Sequence, residues 1–214
     1  MKLRWALVAA CALLAGCAGR APTPTPVDDG QARQLYVERA AELAAWTEWS
    51  FTGRLGLRID GDGGSGQIEW EETPDRAVLS FRGALGQGAW QLVTSDDGAE
   101  LTRSDGSVLR APTADALAMA EVGWPVPVAE LSRWVRGLVH QGDDVSRLPV
   151  GVALDVRGLP VSLDQGDWQV LFERYSEESG AWLPRKVEAS RGDNRVRLAI
   201  SRWRFSSGEP GAGH

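Results

Sequence analysis

The sequence predicts a mainly β protein of the α+β class, built on an antiparallel sheet with a few short helices. Apolar and polar residues alternate with a period of two in many segments, such as Ala77 to Phe81 and Trp168 to Phe172, which is typical of strands with one buried face. Turn sequences rich in Gly, Asp and Ser recur about every eight to twelve residues, which is the spacing of an antiparallel meander. Three short stretches instead show the spacing of amphipathic helices.

The composition is that of one globular domain. The 214 residues include 43% hydrophobic and 24% charged residues, enough for a substantial core and too few to require two domains. The formal net charge of -6, without clusters of Lys and Arg, argues against a nucleic-acid partner and against an acidic substrate. Because His140 and His214 are the only histidines, neither a His-based triad nor a zinc site is expected. No catalytic residue, metal or cofactor is predicted.

The first 16 residues have the pattern of a lipoprotein signal peptide. Lys2 and Arg4 form a short positive region, and the apolar run from Trp5 to Leu14 that follows is too short to span a bilayer. The sequence Leu14-Ala15-Gly16-Cys17 resembles the bacterial lipobox, in which the cysteine is lipidated and becomes the mature N-terminus. An ordinary secretory signal with a chance cysteine is the alternative.

Residues 17–28 are then a lipidated N-terminus and a Pro-rich tether. Cys11 lies in the segment that would be removed and Cys17 would be acylated, so the mature domain would keep no thiol for a disulfide or a metal site. In Gram-negative lipoproteins an aspartate after the cysteine causes retention in the inner membrane. Ala18 therefore implies export to the outer membrane, with anchoring through Cys17 at the periplasmic face. The Pro-Thr repeat up to Pro26 predicts an extended spacer.

The domain itself, residues 29–205, begins with a helix and two strands. Asp28 and Asp29 can cap a helix from about Gln31 to Trp46, with Leu35, Arg39, Leu43 and Trp46 at three- and four-residue spacing. Alternation predicts strands over 51–59 and 67–71, and Asp and Gly residues at 60–64 lie between them. This segment suggests a calcium loop, but it lacks the EF-hand spacing and its closing glutamate, which favours a hairpin turn.

The stretch from Ala77 to Val93 predicts a β-hairpin with an apolar residue at its tip. The tip is Gly83-Ala84-Leu85-Gly86, where polar turn residues would be the norm. Both strands lead away from the core at this point, so Leu85 is expected to face water or a surface other than water. A scattered exposed apolar residue without a role is the alternative. The tip is glycine-rich, but no helix or lysine follows it, which argues against a phosphate-binding loop.

Two more short strands, two helices and a second group of strands complete the domain. Thr113 caps a second helix through about Val122, and a third helix runs from Val128 to Arg136 and ends at Gly137. Strands resume at about Val152 after a polar loop. Residues 206–214 are glycine-rich and are predicted to form a disordered tail.

The glutamates near residue 70 and the tryptophans could each form a functional site, but their positions favour a structural role. Glu69, Glu71 and Glu72 lie close together, but neighbours on a strand alternate faces, which favours a solvated edge over a general acid and base. The tryptophans could stack on sugars, but most fall at apolar strand or helix positions, which favours packing.

An ordered series of local motifs resembles the LolB family, the outer-membrane lipoprotein receptors that insert other lipoproteins into the outer membrane. The resemblance runs from about Trp49 to Trp203, most of the mature chain, and this chain has Ala84 where family members often have proline. The matching motifs are Phe51-Thr52-Gly53-Arg54-Leu55, Gly66 to Trp70, the Gly83-Ala84-Leu85-Gly86 tip, Leu131-Ser132-Arg133-Trp134-Val135-Arg136-Gly137, Asp167-Trp168-Gln169-Val170, Leu183-Pro184 and Trp203.

The resemblance implies an incomplete antiparallel β-barrel, of about ten or eleven strands, that encloses an apolar cavity and is covered by a lid of short α-helices. The residues alone lead part of the way, since a sheet with too many apolar positions for one face, together with three short helices, can enclose a hydrophobic pocket. A filled core would have the same sequence signature, so this alternative stays open.

The predicted function is a non-enzymatic relay of acyl chains. The resemblance implies that the cavity receives the acyl chains of client triacylated lipoproteins from a LolA-like periplasmic carrier, and that Leu85, with Gly83, Ala84 and Gly86, engages outer-membrane lipid during insertion. We expect a monomer. The residues predicted to line the cavity are Leu57, Trp70, Leu79, Phe81, Trp90, Leu92, Leu117, Leu131, Trp134 and Phe172.

Two other classes of function are kept as alternatives. The first is an outer-membrane lipoprotein scaffold that binds cell-wall glycan or a protein partner through exposed aromatic residues. The second is an enzyme, which the shortage of histidines and thiols disfavours.

Overall fold

A computed structural model describes residues 29–84, 88–122, 127–139 and 148–205. The predicted signal peptide, the tether with Cys17 and the predicted tail at 206–214 lie outside these ranges, as do Leu85 and Gly86 of the hairpin tip.

Eleven antiparallel strands form one open sheet within the described residues. The order across the sheet is β6-β5-β4-β3-β2-β1-β11-β10-β9-β8-β7, so the first and last strands pair at the centre and β6 and β7 are its edges. The predicted fold class is confirmed. The strands are β1 (Trp49–Ile59), β2 (Asp62–Thr73), β3 (Arg76–Gly83), β4 (Ala89–Ser95), β5 (Gly98–Arg103), β6 (Val108–Ala111), β7 (Val152–Leu154), β8 (Pro160–Gln165), β9 (Trp168–Glu178), β10 (Ala181–Arg191) and β11 (Asn194–Phe205).

The segment between β1 and β2 is a tight hairpin turn, as predicted. Ile59 pairs with Asp62, and the two residues between them, Asp60 and Gly61, have φ angles of 51° and 90°. Positive φ at both central positions is the geometry of a two-residue turn that matches the twist of the strands it joins.

Three helices accompany the sheet: α1 (Asp29–Ala44), α2 (Ala114–Val122) and α3 (Val128–Trp134). The expected first helix extended to Trp46, but α1 ends at Ala44, and Trp46 packs against Phe205 with ring centroids 4.3 Å apart. The third helix is also shorter than predicted, because the N–H groups of Arg136 and Gly137 donate to carbonyls only three residues back, those of Arg133 at 3.0 Å and Trp134 at 2.8 Å. Gly137 then turns the chain with a φ of 69°. In the described part of the chain, no helix has both the length and the apolar character needed to cross a membrane.

Cross-strand pairing separates the sheet into two faces. Leu55, Leu198, Val187 and Phe172 form one row across β1, β11, β10 and β9, and all four side chains are buried. The next row points to the opposite side, because successive side chains of a strand alternate. The core therefore lies on one face of the central strands, and polar residues cover the other.

Candidate functional site

An apolar cavity of about 80 Å³ lies between the core face of the sheet and the helices α2 and α3. The strands supply most of its wall, and each helix supplies two residues. Every lining residue carries an apolar side chain: Leu55, Leu57, Ile68, Trp70, Leu79, Trp90, Leu92, Leu101, Leu117, Ala118, Val128, Leu131, Val196 and Leu198. Such a site has no group for acid–base or nucleophilic chemistry, but it suits an apolar ligand.

The structure places seven of the ten predicted lining residues around this cavity: Leu57, Trp70, Leu79, Trp90, Leu92, Leu117 and Leu131. Leu57, Trp70 and Leu79 reach it from three adjacent strands, β1, β2 and β3, and the two leucines of α2 and α3 close it from the other side.

Phe81, Trp134 and Phe172 are apolar but lie away from the cavity wall. Phe81 stacks on Trp90 with ring centroids 5.2 Å apart, near the hairpin tip. Trp134 is buried against Trp168, at 6.1 Å between ring centroids. Phe172 is buried in β9, three strands away from β1. The prediction that these three line the cavity is not supported by this geometry, although their burial agrees with apolar alternation.

Seven lining residues were not predicted, and only some of them carry a usable signal in the sequence. Leu55 and Ile68 lie two positions from predicted residues on the same strands, so the period of two points to them. Val196 and Leu198 join the wall because β11 pairs with β1, a contact between the two ends of the domain that local patterns do not reveal. The others are Leu101, Ala118 and Val128.

Helix α3 is fastened to β2 by a half-buried carboxylate. Glu72 accepts hydrogen bonds from Trp70 Nε1 at 2.8 Å and from Ser132 Oγ at 3.1 Å, and Ser132 belongs to α3. Burial raises the pKa of Glu72 above its ordinary value, while the two hydrogen bonds and the nearby Arg136 guanidinium act in the opposite direction. Arg136 itself lies over the Trp49 ring, 5.1 Å from its centroid. Glu72 is therefore a fixed contact between helix and sheet, not the solvated edge residue expected from the sequence.

Helix α1 fastens the chain that follows α3. The Arg39 guanidinium is buried and donates to the carbonyls of Arg136 at 2.9 Å, Gly137 at 3.2 Å and Trp182 at 3.0 Å. Burial lowers the pKa of Arg39. The Tyr36 hydroxyl also accepts the Val139 N–H at 2.9 Å. The predicted packing face of the first helix thus includes a charged residue that joins α1, the end of α3 and β10.

Helix α2 buries fewer side chains than α3, in which Val128, Leu131, Ser132 and Trp134 are buried. Leu117 is its one fully buried side chain among residues 114–120, and Met119 is 47% exposed. Thr113 Oγ1 accepts the Ala116 N–H at 3.2 Å, which confirms the predicted cap. The Asp115 carboxylate accepts the Val128 N–H at 3.0 Å and so ties α2 to the start of α3. Of the two helical walls of the cavity, α2 therefore rests on fewer buried side chains.

The β3–β4 hairpin extends beyond the cavity. Arg82 pairs with Ala89, and the Gly83 N–H donates to the Gly88 carbonyl at 2.8 Å, which closes the base of the tip. Gly83 is half-buried and Ala84 is exposed, so the chain points away from the core where the described part of the hairpin ends. The predicted insertion residues Leu85 and Gly86 lie outside the described residues.

The tryptophans that the structure describes mostly pack in the core. Trp182 is 37% exposed, and the Arg157 guanidinium covers its ring at 4.8 Å from the centroid. The buried ones are Trp49, Trp70, Trp134 and Trp203, and the half-buried ones are Trp46, Trp90 and Trp168. This distribution favours packing over sugar stacking.

Comparisons with known proteins agree with the fold. The family model described as "Outer membrane lipoprotein LolB" matches residues 47–203. An outer-membrane lipoprotein LolB of Alkalilimnicola ehrlichii is 37% identical over 194 residues, covering 91% of this chain and 92% of that protein. One of Pseudomonas fluorescens is 34% identical over 192 residues, covering 90% and 91%. A crystal structure of a DUF1329 family protein from Desulfovibrio piger has a TM-score of 0.51 at 10% identity, over 86% of this chain and 95% of that one, which shows a shared fold.

Proposed function

This chain belongs to the LolB family of outer-membrane lipoproteins, and from that premise we propose that it accepts acyl chains of client lipoproteins from a LolA-like periplasmic carrier and inserts them into the inner leaflet of the outer membrane. The observation that carries the proposal is the cavity under α2 and α3, whose whole lining is apolar. Acyl chains are the ligand class that such a lining binds, and the proposed activity is not enzymatic.

Transfer along this route needs no nucleotide. An acyl chain moves from the carrier to this cavity if its affinity for the cavity is higher, and each tenfold preference corresponds to about 1.4 kcal/mol. Release into the bilayer follows the same rule and requires the bilayer to bind the chain more tightly than the cavity does. The roughly 0.8 kcal/mol per methylene gained on leaving water is common to both apolar environments and largely cancels between them.

Receipt of an acyl chain requires the cavity to expand. Its volume is about 80 Å³, less than the roughly 150 Å³ of an apolar cavity that holds benzene, and an acyl chain is far longer than benzene. We therefore infer that the structure is a closed form of the cavity. We propose that helix α2 is the part of the wall that moves, because Leu117 is its one fully buried side chain among residues 114–120, while α3 is bonded to Glu72 through Ser132 and is followed by the chain at Gly137 that Arg39 binds.

The membrane contact is assigned to the hairpin tip. The sequence predicts this tip at Gly83-Ala84-Leu85-Gly86, and burial of one leucine in the bilayer contributes roughly 1.5 to 3 kcal/mol. This energy can orient the cavity toward the membrane but is too small to hold the protein there. Anchoring is assigned to acylated Cys17, with residues 18–28 as the spacer.

The decisive experiment separates receipt from release. In a reconstituted assay, a Leu85→Glu protein should take a lipoprotein from the carrier as the parent does and should fail to deliver it to liposomes. Leu171→Glu is the matched control, since Leu171 is a leucine of β9 that is 47% exposed and lies away from the tip. Equal loss of both steps in Leu85→Glu, or equal behaviour of the two variants, would reject the assignment of the tip.

A displacement assay tests the cavity itself. The Cys17→Ala chain should bind a fluorescent fatty acid and release it when an unlabelled fatty acid is added. A glycan-binding scaffold with a filled core would not take up the probe, so this measurement separates the main proposal from the scaffold alternative.

A further inference from the structure

On the face of the sheet opposite the cavity, cationic side chains surround a hollow of about 490 Å³. Arg54, Ala199 and Lys186 form a cross-strand row over β1, β11 and β10, and Arg54 and Lys186 stand on either side of the alanine. Two strand spacings, roughly 9.6 Å, separate their backbones. The small Ala199 methyl therefore forms the floor, and Arg174 and Arg185 complete the wall.

The regular ladder is interrupted at this hollow. The register of β1 and β11 shifts between Thr52 and Gly53, which leaves Ser201 unpaired with β1. In β9, Arg174 has a φ of 54°, a conformation that costs energy for a residue other than glycine. Both irregularities turn the chain locally at the same level of the sheet, and each places polar groups around the hollow.

The positive charge at the hollow is only partly compensated. Lys186 Nζ lies 2.8 Å from a Glu173 carboxylate oxygen, and Arg185 lies 3.5 Å from Glu178 while it donates to the Ser201 carbonyl at 2.7 Å. Among the described residues, neither Arg54 nor Arg174 forms an ion pair or a side-chain hydrogen bond, and both are exposed. Two guanidinium groups thus keep all their donors available.

The charge on the same face extends beyond the hollow. Arg202 and Arg204 follow on β11 and pair in register with Thr52 and Ser50, whose side chains are uncharged. The acids of β2 on this side are Glu69, opposite Thr52, and Glu71, opposite Ser50. Toward the other end, Glu188 binds both Arg195 and Arg197, at 2.9 Å and 2.6 Å.

We propose that the hollow at Arg54, Arg174 and Lys186 is a binding site for a phosphate group, separate from the apolar cavity. Free guanidinium forks match phosphate oxygens with two parallel hydrogen bonds, and the Lys186 ammonium adds a third donor group. The site does not reflect an overall positive charge, because the formal net charge of the chain is -6. The phosphate comes either from the headgroup of an anionic lipid or from a soluble phosphate ester.

The test compares two variants of equal charge change in the Cys17→Ala chain. Arg54→Glu/Arg174→Glu removes the free guanidinium groups, and Arg33→Glu/Arg76→Glu, at two exposed arginines elsewhere, is the control. Flotation with phosphatidylglycerol vesicles, against phosphatidylcholine vesicles, tests the lipid source. Calorimetric titration with glycerol phosphate tests the soluble source.

We expect the site variant to bind about tenfold to hundredfold more weakly than the parent in at least one arm, and the control to bind like the parent. Weakening in the vesicle arm alone identifies a lipid headgroup, and weakening in the titration identifies a soluble ester. If the parent binds neither probe, or both variants lose binding equally, the proposal is wrong. Melting temperatures of the two variants within a few degrees of each other exclude misfolding as the cause.

Discussion

The single buried side chain of α2 among residues 114–120 leads to a quantitative prediction for Leu117→Ala. Leu117 is 2% exposed and anchors a helix of nine residues, a length that is not stable in isolation. Buried Leu→Ala substitutions cost about 2 to 5 kcal/mol. The low end applies here, about 2 to 3 kcal/mol, because the side chain already borders a cavity and loses fewer contacts.

If α2 opens independently of the sheet, this energy acts on the opening equilibrium. Opening should become roughly 30- to 150-fold more frequent, since about 1.4 kcal/mol corresponds to a factor of ten. Amide hydrogen exchange followed by mass spectrometry should therefore accelerate in α2 by that factor. The amides of α3 should keep their protection, because Arg39 and Glu72 hold that helix and the chain after it. Uptake of a fluorescent fatty acid should also become faster.

Leu163→Ala is the matched control, because Leu163 is a leucine of β8 that is 0% exposed and does not line the cavity. It should lower the global stability measured by urea unfolding without selectively accelerating amide exchange in α2. Equal acceleration of α2 and α3 in Leu117→Ala would show that the two helices move as one body. Unchanged exchange in α2 would refute the idea that this helix opens by itself.

Two further predictions concern the polar contacts of the helices. Burial raises the pKa of Glu72, so the folded state favours the neutral carboxyl. The stability gained from this preference is present below about pH 4.5, and it is lost as the pH rises through the raised pKa. The melting temperature of Glu72→Gln should therefore rise relative to that of the parent as the pH is raised from about 4.5 to about 7.5. A difference in melting temperature between the two proteins that stays constant over this pH range would contradict the assignment. Arg39→Met leaves three carbonyls without their donor, one buried at Gly137 and two partly buried at Arg136 and Trp182, and should cost about 3 kcal/mol or more in urea unfolding. Arg33→Met, on the exposed side of the same helix, should stay within about 0.5 kcal/mol of the parent, and similar losses in both would reject the role of Arg39.

The strands were largely predictable because period-two alternation is a local property of the sequence. It marked β1 and β9 well, and it assigned Leu79, Phe81 and Leu92 to a core side. Alternation states which face a residue takes, but it does not state where along that face the residue lies. This is why Leu79 borders the cavity while Phe81, two positions further on, packs near the hairpin tip.

The contacts that hold the helices could not be predicted in the same way. Arg39 was placed on the packed side of α1 by its spacing, but its three carbonyl partners lie 97 to 143 residues away in the chain. Glu72 has charged neighbours in sequence and looked like a solvated residue, and its burial depends on where α3 comes to rest. Both cases involve tertiary geometry, which no periodicity encodes.

The strand order has a mechanical consequence for the cavity. The backbone leaves the sheet at one margin, β6, passes through α2 and α3, and returns at the opposite margin, β7. The two halves of the sheet meet at the β1–β11 ladder, so that ladder and the helical segment are the two links between them. Spreading the margins apart therefore lengthens the distance that the helical segment has to span. Widening of the sheet and displacement of the helices by a bound acyl chain are therefore expected to occur together. We expect shortening of the chain between β6 and β7 to slow the uptake of acyl chains more than it changes the free energy of unfolding.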